Sequence, residues 1–311
     1  MQFNFTKYSI IYYIVSGILI VATIISLFVF GLKFGIEFVG GSNMEISFSA
    51  EGGSALGGQR PTNADMQKTL EDFNLGEITI QPLGTNDAIL QFKGVDEATH
   101  QQILAKLDET YKVSEKSFQY IGPSVGQELR NKTEIAILIA LLAITIYIAF
   151  AFRKVSKPVN SLKYGVTSLI ALFHDILIPI GVFSVLGHFY NVEITIPIIA
   201  ALLTVLGFSV HDTIVIFDRI RENILRKGMA QFEDTVNWSL NQTLGRSLST
   251  VFSTLLVLFA IYFFGGTTLK YFSLALIVGI TSGAYSSIFI ASPLLVSWYK
   301  WSLKKDLTRK S

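Results

Sequence analysis

Cysteine is absent from the 311 residues, which removes disulfides, thiolate metal sites and cysteine nucleophiles together and leaves the redox compartment open. Charge is scarce as well: only 15% of residues are Asp, Glu, Lys or Arg, against about a quarter in a soluble globular chain. The net charge is +2, so nothing global points to nucleic acid. Histidine occurs four times and never in a metal-ligand spacing such as HExxH, which argues against a metal enzyme. No nucleophile–base pair and no phosphate-cradling loop stands out either. The expectation is a chain that is not an enzyme and carries no cofactor and no metal.

What the sequence has in excess is apolar surface. Half of the residues are hydrophobic, too many for one aqueous core, which makes lipid the solvent for part of the chain. Six apolar runs approach the roughly 20 helical residues that cross a bilayer: 8–30, 134–152, 164–186, 194–217, 247–264 and 271–299. The first follows Lys7, but it is too long for a signal peptide and no small-x-small cleavage site follows it, so it reads as an uncleaved anchor.

The fold class expected is therefore a polytopic α-helical membrane protein with six transmembrane helices and one α+β domain between the first and second. Residues 1–30 form the N-terminus and first helix, 31–133 the domain, 134–299 a five-helix region with loops 153–163 and 218–246, and 300–311 a basic tail. In the domain, alternation at Met44, Ile46 and Phe48 reads as a strand with one buried face. A helix near 63–73, strands near 77–81 and 88–92, a helix near 97–111 and a strand near 112–121 complete β-α-β-β-α-β, the order of a ferredoxin-like domain. The glycine-rich stretch 50–60 reads as a mobile loop. Gly122-Pro123-Ser124-Val125-Gly126 is expected to break regular structure before the second span.

Basic residues orient the spans. Arg153, Lys154, Lys157 and Lys163 follow the second span; Arg219, Arg221, Arg226 and Lys227 follow the fourth; Lys300, Lys304, Lys305, Arg309 and Lys310 crowd the tail. The segment 188–193 has neither Lys nor Arg, and 265–270 has one. Both termini are thus expected in the cytoplasm and the large domain outside it.

Ionisable side chains within spans cost roughly 3 kcal/mol each even on lenient insertion scales, so the few present call for a reason. The third run carries His174-Asp175 and the fourth His211-Asp212. Counting back from Asp218 at about 1.5 Å per residue puts Asp212 on the order of 9 Å inside the cytoplasmic end. Arg246, at the start of the fifth run and followed by Ser247, Ser249 and Thr250, is the candidate cation for it. Making and breaking an Asp212–Arg246 pair would bind and release a proton. Each residue also has a plainer reading: Arg246 as an interface anchor, Asp212 as a helix–helix hydrogen-bonding group, His174 and His211 as polar packing, Glu37 as part of a solvated junction. Gly279 and Gly283, followed by Ser286 and Ser287, form the small-residue pattern of a close helix contact.

These same residues carry a resemblance. The run from Gly207 to Asn223, GFSVHDTIVIFDRIREN, resembles the fourth-span signature of the SecF family of bacterial protein-export subunits, in the resistance-nodulation-division superfamily. Gly35-Ile36-Glu37-Phe38-Val39-Gly40-Gly41 resembles that family's motif after the first span, and Gly122-Pro123-x-Val125-Gly126 the turn before the second. His174-Asp175, Arg246-Ser-Leu-Ser-Thr250 and Tyr285-Ser-Ser-Ile-Phe-Ile-Ala-Ser-Pro293 fit in order. Two positions depart: His211 stands where the family has Asn, and Glu37 where it has Asp.

The resemblance implies that Asp212 and Arg246 are a proton-pathway pair. His211, His174 and Asp175 would be secondary proton-pathway or packing residues. It also implies a bacterial inner-membrane protein in complex with SecD, acting with the SecYEG translocon on a translocating preprotein and driven by the proton-motive force. Association with SecD is expected through membrane helices, with Gly279 and Gly283 at a close contact. Two other roles fit the same features: a passive assembly subunit, or half of a small-molecule or lipid transporter of that superfamily.

Overall fold

The computed structural model describes residues 3–48, 61–84, 86–151, 159–227 and 232–308. The expected loop 50–60 and the basic positions Arg153, Lys154, Lys157, Arg309 and Lys310 lie outside them. The chain divides into two compact units. One comprises Met1–Leu32, Ala136–Val192 and Pro197–Ser311; the other comprises Lys33–Ile135 and Glu193–Ile196.

In chain order, helix α1 (Ser9–Phe30) is followed by the single turn α2 (Ile36–Val39), strand β1 (Gly41–Phe48), α3 (Asn63–Thr69), β2 (Thr79–Leu83), β3 (Asp87–Phe92), α4 (Glu97–Tyr111) and β4 (Val113–Ile121). The strands form one antiparallel sheet in the order β2-β3-β1-β4. Met44, Ile46 and Phe48 are buried on one face of β1 as their alternation requires, beneath Met66 of α3 and Ile103 and Leu107 of α4. Both helices start on side-chain caps: Thr62 accepts from the Asp65 amide and Asp96 from the Thr99 amide.

Five further long helices follow: α5 (Pro123–Ala151), α6 (Ser161–Tyr190), α7 (Ile196–Lys227), α8 (Phe232–Phe264), and α9 (Thr267–Ser286), which runs through a π-helical turn at Ser287–Ala291 into α10 (Ser292–Thr308). Counting the last as one, six helices among the described residues are long and apolar enough to cross a membrane. Their outward residues are apolar, as at Ile10, Ile139, Phe173 and Phe252, because lipid rather than water is the solvent they meet.

Three expectations about boundaries need correction. The break expected at Gly122–Gly126 is confined to Gly122, between β4 and α5: Pro123 is already the first residue of α5, where its missing N–H has no helical partner to lose. The described residues of the segment 218–246 are not a loop. They are helical on both sides of residues 228–231, because α7 runs on to Lys227 and α8 begins at Phe232. Polar i,i+3 and i,i+4 pairs, such as Arg219–Glu222 and Arg226–Glu222, replace the apolar face there. The basic tail is likewise helical through Thr308.

The π turn has a local cause. Pro293 follows it and has no N–H to return to the preceding turn, so the ladder widens and the Ser292 hydroxyl bonds back to the Ser287 carbonyl at 3.1 Å.

Candidate functional site

A polar seam lies inside the helical unit, built from α6, α7, α8 and α9. Asp212 on α7 is 8% exposed. Its Oδ1 accepts from the Ser247 hydroxyl of α8 at 2.7 Å, while Oδ2 has no hydrogen-bond partner among the described residues. Next to it, Thr213 Oγ1 and Ser287 Oγ lie 2.8 Å apart. Asp212 therefore holds one oxygen fixed and one open, and the open oxygen is where a proton can bind without displacing a donor.

Arg246 does not make the pair the sequence suggests. Among the described residues no carboxylate lies within ion-pair distance of its guanidinium. It is exposed and lines a cleft of about 420 Å³ with Asp218, Arg219, Glu222 and Gln242. The reason is angular: successive helical residues point about 100° apart, so with Ser247 turned into the seam its neighbour Arg246 turns out of it. His211, beside Asp212, is exposed on α7 by the same geometry.

The second acidic position is the more deeply set. Asp175 of α6 has no exposed surface, and His174 is 2% exposed. Asp175 Oδ1 receives His174 Nδ1 at 3.0 Å and the Ser282 hydroxyl at 3.3 Å. Its Oδ2 receives the Ser286 hydroxyl at 2.7 Å and that of Ser209. Sequence reasoning noticed Ser286 only as a small residue and missed Ser209 and Ser282. The signal was present, since Ser282 and Ser286 share one face of α9 at i,i+4 spacing.

Gly279 and Gly283 mark a close contact, but inside the chain. A Cβ on Gly279 would lie 2.3 Å from Val205 Cγ2, and one on Gly283 would lie 3.1 Å from Ser209 Cβ, both on α7. The expectation that these glycines face SecD is corrected on that ground: the space is already filled by this chain's own helix.

In the sheet-bearing unit a different acidic group appears. Phe34 and Ile194 form a parallel bridge, with the Gly35 amide on the Ile194 carbonyl at 2.9 Å and the Ile194 amide on the Lys33 carbonyl at 2.7 Å. Glu193 Oε2 accepts from Gln91 Nε2 of β3 at 2.9 Å. Burial, opposed by the Gln91 hydrogen bond and reinforced by the charge of Glu37, pushes the Glu193 carboxyl up to about 7. Glu37, expected in a solvated junction, is half-buried, and burial raises it too. A Cβ on Gly35 would lie 2.3 Å from Glu37 Oε2 and 3.5 Å from Glu193 Oε2, so that glycine leaves room for both carboxylates. Glu193 escaped the sequence reading because it lies in a short loop with no motif around it.

Residues 100–301 match the family model of the C-terminal part of the protein export membrane proteins SecD and SecF, and residues 25–51 match the SecD/SecF GG motif. The chain is 44% identical over 303 residues to the protein translocase subunit SecF of Thermobaculum terrenum, covering 92% of this chain and 91% of that one. It is 34% identical over 299 residues to the protein translocase subunit SecF of Vibrio alginolyticus, covering 94% and 88%. Among solved structures it resembles SecDF, a translocon-associated membrane protein from Thermus thermophilus, at 30% identity and a TM-score of 0.83 over 96% of this chain. It also resembles SecDF in a super-membrane-facing form, at 30% identity and a TM-score of 0.69. It spans only 39% and 40% of those two chains.

Proposed function

The chain belongs to the SecF family of protein translocase subunits, a family of multi-pass membrane proteins, and on that premise we propose that it couples the proton-motive force to preprotein export. Asp212 carries this reading. It is a buried carboxyl on a membrane-spanning helix, with one oxygen fixed by Ser247 and the other without a partner. Buried ionisable groups in spans are expensive and are kept where ions or protons pass. Proton binding at the open oxygen changes the charge between α7, α8 and α9. A charge crossing about 100 mV releases roughly 2.3 kcal/mol, enough to bias one helix packing over another. Arg246, one residue from the seam on α8, is the cation that a small rotation of that helix would bring to Asp212.

The partners we assign are SecD, the SecYEG channel and the translocating preprotein, in the bacterial inner membrane. The SecDF chains it resembles are more than twice its length, which supports a SecD subunit supplying the rest. We read the sheet-bearing unit as a ferredoxin-like domain between the first and second spans. Its β-α-β-β-α-β element order and its β2-β3-β1-β4 antiparallel sheet support this. The bias of Lys and Arg toward alternate short segments supports placing that domain outside and both termini in the cytoplasm. The role is mechanical, with no catalysed reaction.

The test is Asp212→Asn in inverted vesicles carrying the full complex, with export measured with and without a proton gradient at matched protein levels. Asparagine keeps the shape and can still accept from Ser247, so the variant is expected to insert and assemble yet lose gradient-stimulated export. Full stimulation would refute proton coupling through Asp212 and favour a passive assembly subunit.

A further inference from the structure

Asp175 is the most completely satisfied charged group in the seam. His174 Nδ1 and the hydroxyls of Ser209, Ser282 and Ser286 bring four donors to its two oxygens. An ionised carboxylate offers about four lone-pair sites, so these donors fill it, and a proton on either oxygen would displace one of them. The Ser286 hydroxyl also reaches the Gly283 carbonyl at 3.1 Å, but the shorter contact to a charged acceptor is the stronger one. The atom left over is His174 Nε2. It has no partner among the described residues, on a side chain 1% exposed. With Nδ1–H committed to Asp175, Nε2 carries a free lone pair on a side chain closed off from the surface.

We propose that His174 and Asp175 form a second proton-holding dyad beside Asp212, in which Asp175 stays anionic and His174 Nε2 takes up and gives back the proton. Protonation there converts a buried negative charge into a neutral imidazolium–carboxylate pair, which removes the cost of an uncompensated charge in a low-dielectric interior. Asp175 acts as a positioning residue: it fixes the imidazole tautomer and ties α7 and α9 to α6 through their serines.

Two links tie the dyad to Asp212. Ser209 lies one helical turn before Asp212 on α7, so the helix face that holds Asp175 also carries Asp212. Ser286 is followed by Ser287, whose hydroxyl meets Thr213 in the π-helical turn, an arrangement that recurs where helices must adjust. The titratable groups facing the dyad are Asp212 on α7, whose charge Asp175 feels, and Tyr285 on α9, stacked on the imidazole at 6.1 Å. Tyr12 of α1 stands behind, its carbonyl accepting from Tyr285 at 3.2 Å. No Lys or Arg lies within ion-pair distance of Asp175 among the described residues. The dyad rests on the proton-coupling reading and extends it from one proton-holding position to two.

Nitrogen-15 NMR of histidine-labelled full-length protein in lipid nanodiscs tests it directly, since only four imidazoles contribute and His174→Gln identifies the one in question. The expected result is a His174 imidazole that is Nδ1-protonated when neutral and gains and loses its Nε2 proton reversibly across a pH series. His174→Gln keeps a donor to Asp175 but no proton acceptor, and is expected to flatten the pH profile of gradient-stimulated export. A His174 imidazole locked in one form throughout overturns the dyad; if Asp212→Asn still abolishes stimulation, the proton-coupling reading survives that failure. Stimulation that persists in Asp212→Asn overturns both.

Discussion

Gly126 packs so closely on Gly40 that a Cβ at position 126 would lie 2.9 Å from the Gly40 amide nitrogen and 3.2 Å from the Phe38 carbonyl carbon. Gly40 itself has φ +78° and its own Cβ would meet Pro123 Cα at 2.9 Å. The two glycine motifs, one on each side of the sheet in sequence, are therefore a single packed joint.

Gly126→Ala is expected to destabilise the sheet-bearing unit despite improving helix propensity. Alanine gains about 1 kcal/mol in a helix interior. The atoms it would strike are backbone and cannot rotate away, and overpacking of that kind costs about 1–3 kcal/mol. Hydrogen exchange of β1 amides in the intact protein should accelerate. Unchanged or slower exchange would show that the joint yields.

Gly279→Ala is expected to loosen α9 from α7 by about 1–3 kcal/mol, because Val205 is β-branched and cannot swing its methyls clear. Gly283→Ala, with 3.1 Å to Ser209 Cβ, should cost less. Thermal unfolding in detergent would rank them. Val205→Ala should rescue Gly279→Ala in a double-mutant cycle; additive losses would mean that the two do not touch.

The apolar runs were legible because a bilayer imposes a length, and the sheet because one buried face imposes alternation. Helix ends were less so, since α7 and α8 continue beyond the apolar window on polar pairs that hydrophobicity does not register. At the site, Asp212, His174 and Asp175 stood out by their cost in lipid. Their partners did not: serine is ordinary in a span, and which serine faces which carboxyl depends on the rotation of α7 against α9. Charge complementarity suggested Arg246 for Asp212, but helix rotation places Ser247 there. Glu193 became visible only once the bridge between Phe34 and Ile194 brought it to Gln91.

Glu193 gives the sheet-bearing unit a pH dependence of predictable sign. Its carboxyl rises from an ordinary 4.5 to about 7, and Glu37 shifts the same way. The folded state thus binds the proton more tightly than the unfolded one. Its contribution is complete below the ordinary value and is lost as pH climbs toward about 7. The loss should be on the order of 1–2 kcal/mol once solvent screening is counted. Exchange of the Ile194 and Gly35 amides, corrected for intrinsic rate, should lose protection over that window in the wild type. Glu193→Gln should abolish most of the change, and a pH-dependence as steep as the wild type's would assign it elsewhere.

Ser247 and Arg246 should separate stability from coupling. Ser247→Ala removes the hydroxyl bound to Oδ1 of buried Asp212 and leaves only the neighbouring Ser287 hydroxyl to serve the carboxyl, so it is expected to cost about 1–3 kcal/mol in unfolding experiments. Arg246 is exposed and bonds no carboxylate among the described residues, so Arg246→Met should fall within about 0.5 kcal/mol of the wild type. If Arg246 meets Asp212 only after α8 rotates, the same substitution nonetheless removes gradient-stimulated export, because the packing that needs the cation can no longer form. His211→Asn, on the exposed face of α7, should fold and export normally. The decisive comparison is unfolding and gradient-stimulated export on the same three variants in the full complex. Arg246→Met that exports like the wild type would reduce Arg246 to an interface anchor and leave Ser247 as the residue that matters to Asp212.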